Sequence, residues 1–251
     1  MADPHIDADA RPENDPCYEA VVPHPEGEST AARFALTARE YGYGGIVFHT
    51  GPESEIGPAT PPEIENAYET DIVDGIEIDR DSPGSASGAV GNHRSEYTLV
   101  LVRGGSRETN RFAAEEPRVD VLTRSMAGRG DVNHVIAKAA ARNGVRIEFD
   151  FGPVLRTSGG RRVRALSDLR KLRELVNQYD VPYVVSAGAR RHLELRAPRE
   201  LAAVGEAIGF SRDAVRAGLR EWGRLAARNR TLQDGSFIEP GVREGRYDED
   251  S

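Results

Sequence analysis

The sequence predicts an α/β protein whose strands and helices alternate in one domain and close into a TIM-barrel-like ring. Three observations carry this. Short β-branched runs such as Tyr183-Val-Val-Ser186 recur between longer amphipathic segments. Helices follow nearly every run with no Gly-rich nucleotide loop, which favours an irregular barrel over an open sheet. The length, 251 residues, is one at which α/β barrels commonly stay undivided.

Residues 1–16 are acidic, punctuated by proline and almost without large apolar groups, so they are expected to form a disordered extension. The barrel domain is expected over 17–242, with a disordered acidic tail over 243–251. Tyr18–Val22 is the first strand. Ser29 is placed to cap a helix to about Tyr41, and Ile46–Phe48 forms the second strand. Residues 50–62 read as loop and Pro62–Tyr68 as a short helix. Ile72–Ile78 is one strand. Asp79–Asn92, rich in Gly, Ser and Pro, reads as a flexible loop. Tyr97–Val102 is a strand, Ser106 caps a helix to about Glu115, and Val119–Leu122 is the next strand. Asp131 or Asn133 then caps a helix that Asn143-Gly144 stops. Its apolar face is read as Val135, Ile136, Ala139 and Ala140. Val145, Ile147 and Phe149 alternate with Arg146, Glu148 and Asp150 as a strand. Arg156–Arg164 reads as an exposed basic loop and Leu166–Tyr179 as an amphipathic helix. Pro198 opens a helix that stops at Gly209, and Ser211 caps a last one to about Asn229. That makes six or seven strands. His192–Leu195 is the one segment available as an eighth.

Charge divides the chain. The net is -8, yet residues 151–230 hold 17 basic and 8 acidic side chains, a local net of +9. All basic residues except Lys138 and Lys171 are arginine. An acidic surface poor in lysine fits solubility at high salt. The basic block fits a polyanionic partner, since arginine's fork of donors matches phosphate oxygens. The single cysteine, Cys17, excludes an internal disulfide and fits a reducing cytoplasm. No run approaches the roughly 18 apolar residues of a membrane span, so no membrane partner is expected.

Catalysis in a barrel sits at the carboxyl ends of the strands, where the sequence places His24, His49, Asp79, Asp150 and Ser186. A metal-dependent hydrolase could be built from such residues. However, there is no His-x-His pair, and no two histidines share a helix face. The basic candidates for RNA backbone contact are Arg156, Arg161, Arg162 and Arg164, with Arg190 and Arg191. Arg212, Arg216, Arg220, Arg224 and Arg228 form a ridge on the last helix, which a solvated face explains equally well. Asn133, His134, Lys138 and Arg142 are more polar than packing requires and are candidates for an assembly or RNA interface. Aromatic residues are too sparse for a base-stacking platform, so recognition by shape and backbone is expected.

Tyr18-Glu-Ala-Val-Val-Pro, Asn133-His-Val-Ile-Ala-Lys-Ala-Ala-Ala-Arg-Asn-Gly and Leu169-Arg-Lys-Leu-Arg-Glu-Leu resemble the archaeal ribonuclease P protein component 3 family. So do Tyr183-Val-Val-Ser-Ala, Leu195-Arg-Ala-Pro-Arg-Glu-Leu and Phe237-Ile-Glu-Pro-Gly, in order over roughly residues 17–242. The arginine bias looks haloarchaeal. The resemblance implies a TIM-barrel-like subunit of the ribonucleoprotein that removes 5′ leaders from precursor tRNA. It also implies that the RNA subunit holds the catalytic Mg ions, that this chain has no catalytic or metal-ligating residue and binds no cofactor itself, and that its partners are the RNase P RNA and a Pop5-type protein. The alternative is an autonomous metal-dependent phosphoesterase of the polymerase-and-histidinol-phosphatase type, using His24 and His49. A third reading is an inactive barrel that binds only protein.

Overall fold

The computed structural model describes residues 15–51, 62–234, 237–239 and 242–243. The chain runs β1 (Tyr18–Val21), α1 (Ala31–Glu40), β2 (Gly45–Phe48), α2 (Pro62–Tyr68), β3 (Asp71–Val73), β4 (Gly75–Ile78) and α3 (Pro83–His93). It continues β5 (Leu99–Arg103), α4 (Arg107–Glu115), β6 (Val121–Thr123), α5 (His134–Asn143), β7 (Arg146–Asp150), α6 (Gly152–Arg156) and α7 (Gly159–Tyr179). Then come β8 (Tyr183–Ser186), a 3₁₀ turn at His192–Glu194, α8 (Pro198–Ile208) and α9 (Arg212–Gln233). A short antiparallel pair follows, β9 (Phe237–Glu239) and β10 (Val242–Arg243). The expectations for the N-terminal extension, the loop after Gly51 and the acidic tail lie mostly outside the described residues. Asp15 is an exception: Arg224 pairs with its carboxylate at 2.9 Å, so the end of the extension is fastened to α9.

Strands β1, β2 and β3 pair in parallel, as do β4 through β8. The expected single strand Ile72–Ile78 is corrected to two, broken at Asp74. That carboxylate turns aside to accept from the Thr98 amide at 3.0 Å and the Thr98 hydroxyl at 2.5 Å. Two isolated parallel bridges close the ring. Thr50 with Ile76 joins β2 to β4, and Val21 with Ala189 joins β1 to the residues after β8. The barrel is therefore TIM-barrel-like but has no eighth strand among the described residues: His192–Glu194 is a 3₁₀ turn.

The gap is filled by α9. Outward-facing strand residues such as Val21, Phe48, Ile76, Val102, Ile147 and Phe149 pack under the helices. Inward-facing Ala20, Val47, Leu99, Leu101, Val121 and Val184 form a separate interior cluster, and Trp222, Leu225 and Ala226 of α9 enter it. The Trp222 indole donates to the Val185 carbonyl at 2.9 Å, satisfying part of the β8 edge that a neighbouring strand would otherwise take. Higher on the same seam, Glu19 accepts from the Ala187 amide at 2.7 Å and from the Tyr43 hydroxyl at 3.2 Å. Below, Asn229 donates to the Thr98 carbonyl and to Asp120, closing the amino-terminal mouth. Close approach of α9 requires glycine: a Cβ at Gly218 would meet Val185 at 2.6 Å, and one at Gly223 would meet Tyr18 at 2.5 Å.

Three further expectations are corrected. Asp79–Asn92 is not a loop: Ser82 caps α3 through the Ser85 amide, Pro83 opens it, and Ala86 and Val90 are buried. Thr30, not Ser29, caps α1; the Ser29 hydroxyl instead meets His192 Nδ1 at 2.8 Å, tying the two loops that flank the seam. On α5 the buried face is Ile136, Ala137, Ala139 and Ala140, while Val135 is 47% exposed.

Candidate nucleic-acid interface at the barrel mouth

The barrel's interior changes character along its axis. Below it is aliphatic; at the carboxyl ends it is polar. His49 follows β2, Glu77 lies on β4, Thr123 ends β6, Glu148 and Asp150 lie on β7, and Ser186 ends β8. Strand alternation turns these side chains inward once the sheet closes. Ser186 donates to Glu148 at 2.6 Å and Thr123 to Glu77 at 2.6 Å. Burial pushes the Glu148 carboxyl up to about 8, with the Asp150 charge adding to the effect. Burial likewise raises Asp150, although the Gly152 amide at 2.7 Å opposes it. Glu19 in the seam is also pushed up to about 8 by burial. His49 is driven the other way, down to about 4, because burial disfavours its cation. Its ring stands edge-on to Trp222 at 5.6 Å.

The polar layer does not gather into a metal centre. His24 is exposed beside a cis His24–Pro25 bond, whereas His49 is buried against Trp222. Among the described residues no three His, Cys, Asp or Glu side chains stand where one metal ion could be held. Arg124, which follows β6, instead places a cation near Glu148 and Asp150 and lowers both their pKa values. Its backbone is left-handed, at φ 49°, a conformation that costs a non-glycine residue about 1 kcal/mol.

Beside this layer, against α7, lies a cavity of about 300 Å³. Glu148, Asp150 and Asp168 contribute to its polar wall, Met126, Leu169 and Leu172 to its apolar wall, and Arg124, Arg161 and Arg164 its cations. The expected basic loop Arg156–Arg164 is corrected by the structure. Arg156 ends α6, only Thr157 and Ser158 are loop, and Arg161, Arg162 and Arg164 ride the first turns of α7. Ser158 makes no side-chain cap bond, so the positive end of this 21-residue helix adds to the field of the arginines.

The candidates differ in what already occupies them. Arg156 donates to the carbonyls of Ala187 and Gly188, acting as a clamp on the β8 loop. Arg190 donates to the Glu26 carbonyl, and Arg191 stands 3.5 Å from both Glu28 and Glu194. Arg162 uses one nitrogen on the Thr157 carbonyl. Arg124, Arg161 and Arg164 have no ion pair within 4 Å among the described residues. On α5, Asn133 is a cap, accepting from the Val135 and Ile136 amides at 3.0 and 3.1 Å. His134, Lys138 and Arg142 lie exposed on its outer face, with Lys138 over the Tyr179 ring at 5.3 Å. That face and the mouth arginines are not brought together into one site. The ridge on α9 is largely spoken for: Arg212 pairs with Glu206, and Arg220 and Arg224 both reach Asp15.

Sequence reasoning missed Arg124, Glu77, Glu148 and Glu19. Arg124 had a signal: it directly follows a strand, at the end where barrel sites form. The three acids were hidden because a charge in an alternating strand reads as the solvent face.

A closed TIM-like barrel, basic at its mouth and without an assembled ligand set among its described residues, falls in the class of binding subunits. Residues 16–234 match the family described as RNase P subunit p30, and the chain belongs to that family. It is 57% identical over 241 residues to ribonuclease P protein component 3 of Halorubrum lacusprofundi, covering 93% of this chain and 99% of that one. The protein of the same name from Haloarcula marismortui is 56% identical over 226 residues, covering 90% and 96%. In the cryo-EM structure of archaeal ribonuclease P with mature tRNA, one chain superposes with a TM-score of 0.79 over 93% of this chain and 100% of that chain. At 21% identity that likeness speaks to the fold.

Proposed function

We propose that this chain serves ribonuclease P as an RNA-binding and assembly subunit in the removal of 5′ leaders from precursor tRNA. The RNA subunit, with its Mg ions, carries out the cleavage in this reading; the chain supplies no catalytic residue and holds no metal or cofactor of its own. The work is placed in the cytoplasm, which suits the free Cys17. Among the described residues no helix is long and apolar enough to cross a membrane.

The observation that carries the reading is the group of arginines at the mouth that no acid among the described residues neutralises. Arg161 and Arg164 stand unpaired at the positive end of α7, where backbone phosphates of the RNase P RNA or precursor tRNA gain from both the side chains and the helix. The outer face of α5, with His134, Lys138 and Arg142, is assigned to assembly, and a Pop5-type subunit is its proposed partner. Arg156, Arg190 and Arg191 keep a supporting part, since their guanidinium groups already hold the mouth loops.

Arg161→Ala with Arg162→Ala should weaken association with the RNA and make it less sensitive to salt. Removing two cations that sit on phosphates reduces the slope of log K against log salt by about 1.4 to 1.8. Titration of the wild-type and variant proteins against the RNA at several salt concentrations reads this directly. An unchanged slope removes the α7 arginines from the interface.

A further inference from the structure

We propose that the cavity at the barrel mouth is a binding site for a single nucleotide, the base lying against its apolar wall and the phosphate meeting Arg161 and Arg164. The proposal deepens the RNA-contact reading and rests on it: it names the unit that enters the fold, where RNA contact by itself requires only a charged surface.

Four features lead to this assignment. The first is size. About 300 Å³ lies at the small end of ligand clefts, which run from roughly 300 Å³ upward, and is right for one nucleotide rather than a duplex. The second is the split between its walls. Met126, Leu169 and Leu172 offer a surface for a flat apolar face, while Arg161 and Arg164 are exposed and lack an acid within ion-pair distance among the described residues. Arginine beside an apolar wall is the combination that receives an unstacked base and its phosphate, because guanidinium both stacks on rings and forks onto phosphate.

The third is unfinished polar chemistry inside. Ser125 lines the cavity, is 1% exposed, and its hydroxyl has no hydrogen-bond partner. A buried hydroxyl left unpaired is costly, and a base edge or ribose hydroxyl would pair it. The fourth is the strained backbone of Arg124, next in sequence to Ser125, which holds that guanidinium at the cavity. The acids on the polar wall do not oppose the assignment. Burial favours the neutral form of Glu148, Asp150 and Asp168, so the arginines set the sign of the site.

The nucleotide could come from an unpaired position in RNA or from a free mononucleotide, and the test separates these. Isothermal titration of the full chain with adenosine 5′-monophosphate, with inorganic phosphate, with a single-stranded hexanucleotide and with a duplex should give binding to the first and third. Ala127→Trp, at an exposed residue on the cavity's edge, fills the space without touching the core or the α7 arginines. It should weaken the mononucleotide and the single strand by about ten- to a hundredfold, the range of one lost base stack. Arg164→Ala should do likewise and serves if Ala127→Trp does not fold. A tighter hold on the hexanucleotide identifies RNA as the source; a tighter hold on the mononucleotide identifies a soluble ligand, and either supports the site. Inorganic phosphate binding as well as the mononucleotide overturns it. So does unchanged affinity in both variants, or a defect confined to capture of a partner protein. If the cavity variant has no effect while Arg161→Ala with Arg162→Ala still lowers the salt slope, only the pocket is refuted; loss of both effects refutes the RNA contact as well.

Discussion

Asn133 shows how one residue can look functional and be structural. Its side chain takes two amides of the first turn of α5, so it cannot also be spent on a partner. Asn133→Ala should lower stability by about 1 kcal/mol while leaving RNA association unchanged, as thermal melts and binding titrations would show. A binding defect without a stability change would return it to the interface. Cap and stop were legible because Asn133 and Gly144 (φ 67°) act locally. Glu148 was not legible, since its inward aim depends on the ring closing around it. Glu19 has the same character and a measurable consequence. Its folded-state pKa, about 8, lies above the ordinary 4.5, so the folded protein keeps a proton that the unfolded chain releases. Its stabilising contribution is complete below about pH 4.5 and is lost as pH rises towards about 8. Glu19→Gln should therefore flatten the fall in melting temperature across that interval, and an undiminished fall would assign it to other groups such as Glu148.

At the scale of elements, α9 takes the part of the missing strand. A helix was expected there, but its arginine spacing drew the eye to the outer face. The functional fact lies on the inner one, where Trp222 fills the space between β1 and β8 and bonds the Val185 carbonyl. Nothing local marks a helix that enters a barrel seam; only Gly218 and Gly223, five residues apart on α9, mark the closeness of its approach. Trp222→Ala should cost about 3–5 kcal/mol, measured by urea unfolding, because the interior cluster loses its largest member. A cost under about 1 kcal/mol would mean the seam closes without it. The opposite error was made at α3. Gly and Ser over 84–91 read as flexible, yet a Ser82 cap, Pro83 at the start and the buried side chains of Ala86 and Val90 are sufficient once β4 and β5 pack beneath. Composition described the sequence of α3, but packing decided its structure.

The whole molecule separates its charges. The acidic part of the chain and the basic stretch 151–230 share one barrel, and that stretch supplies α7, β8, α8 and most of α9. Much of its positive charge is consumed internally, on Asp15, Asp71, Glu206 and Glu221. What remains unpaired collects at the carboxyl-end mouth, where barrels place their ligands. The barrel class and most of its elements were legible because each strand and helix carries its own period; the closure was not, since it depends on two isolated bridges and a tryptophan. The central claim concerns what this assembled surface does. Reconstituted cleavage of precursor tRNA, with and without this chain and with the RNA and the other protein subunits held constant, tests it most directly. The account predicts that the chain alone leaves precursor tRNA intact and that adding it to the mixture increases Mg-dependent release of the 5′ leader. Equal cleavage in its absence, or cleavage by the chain alone, would contradict it.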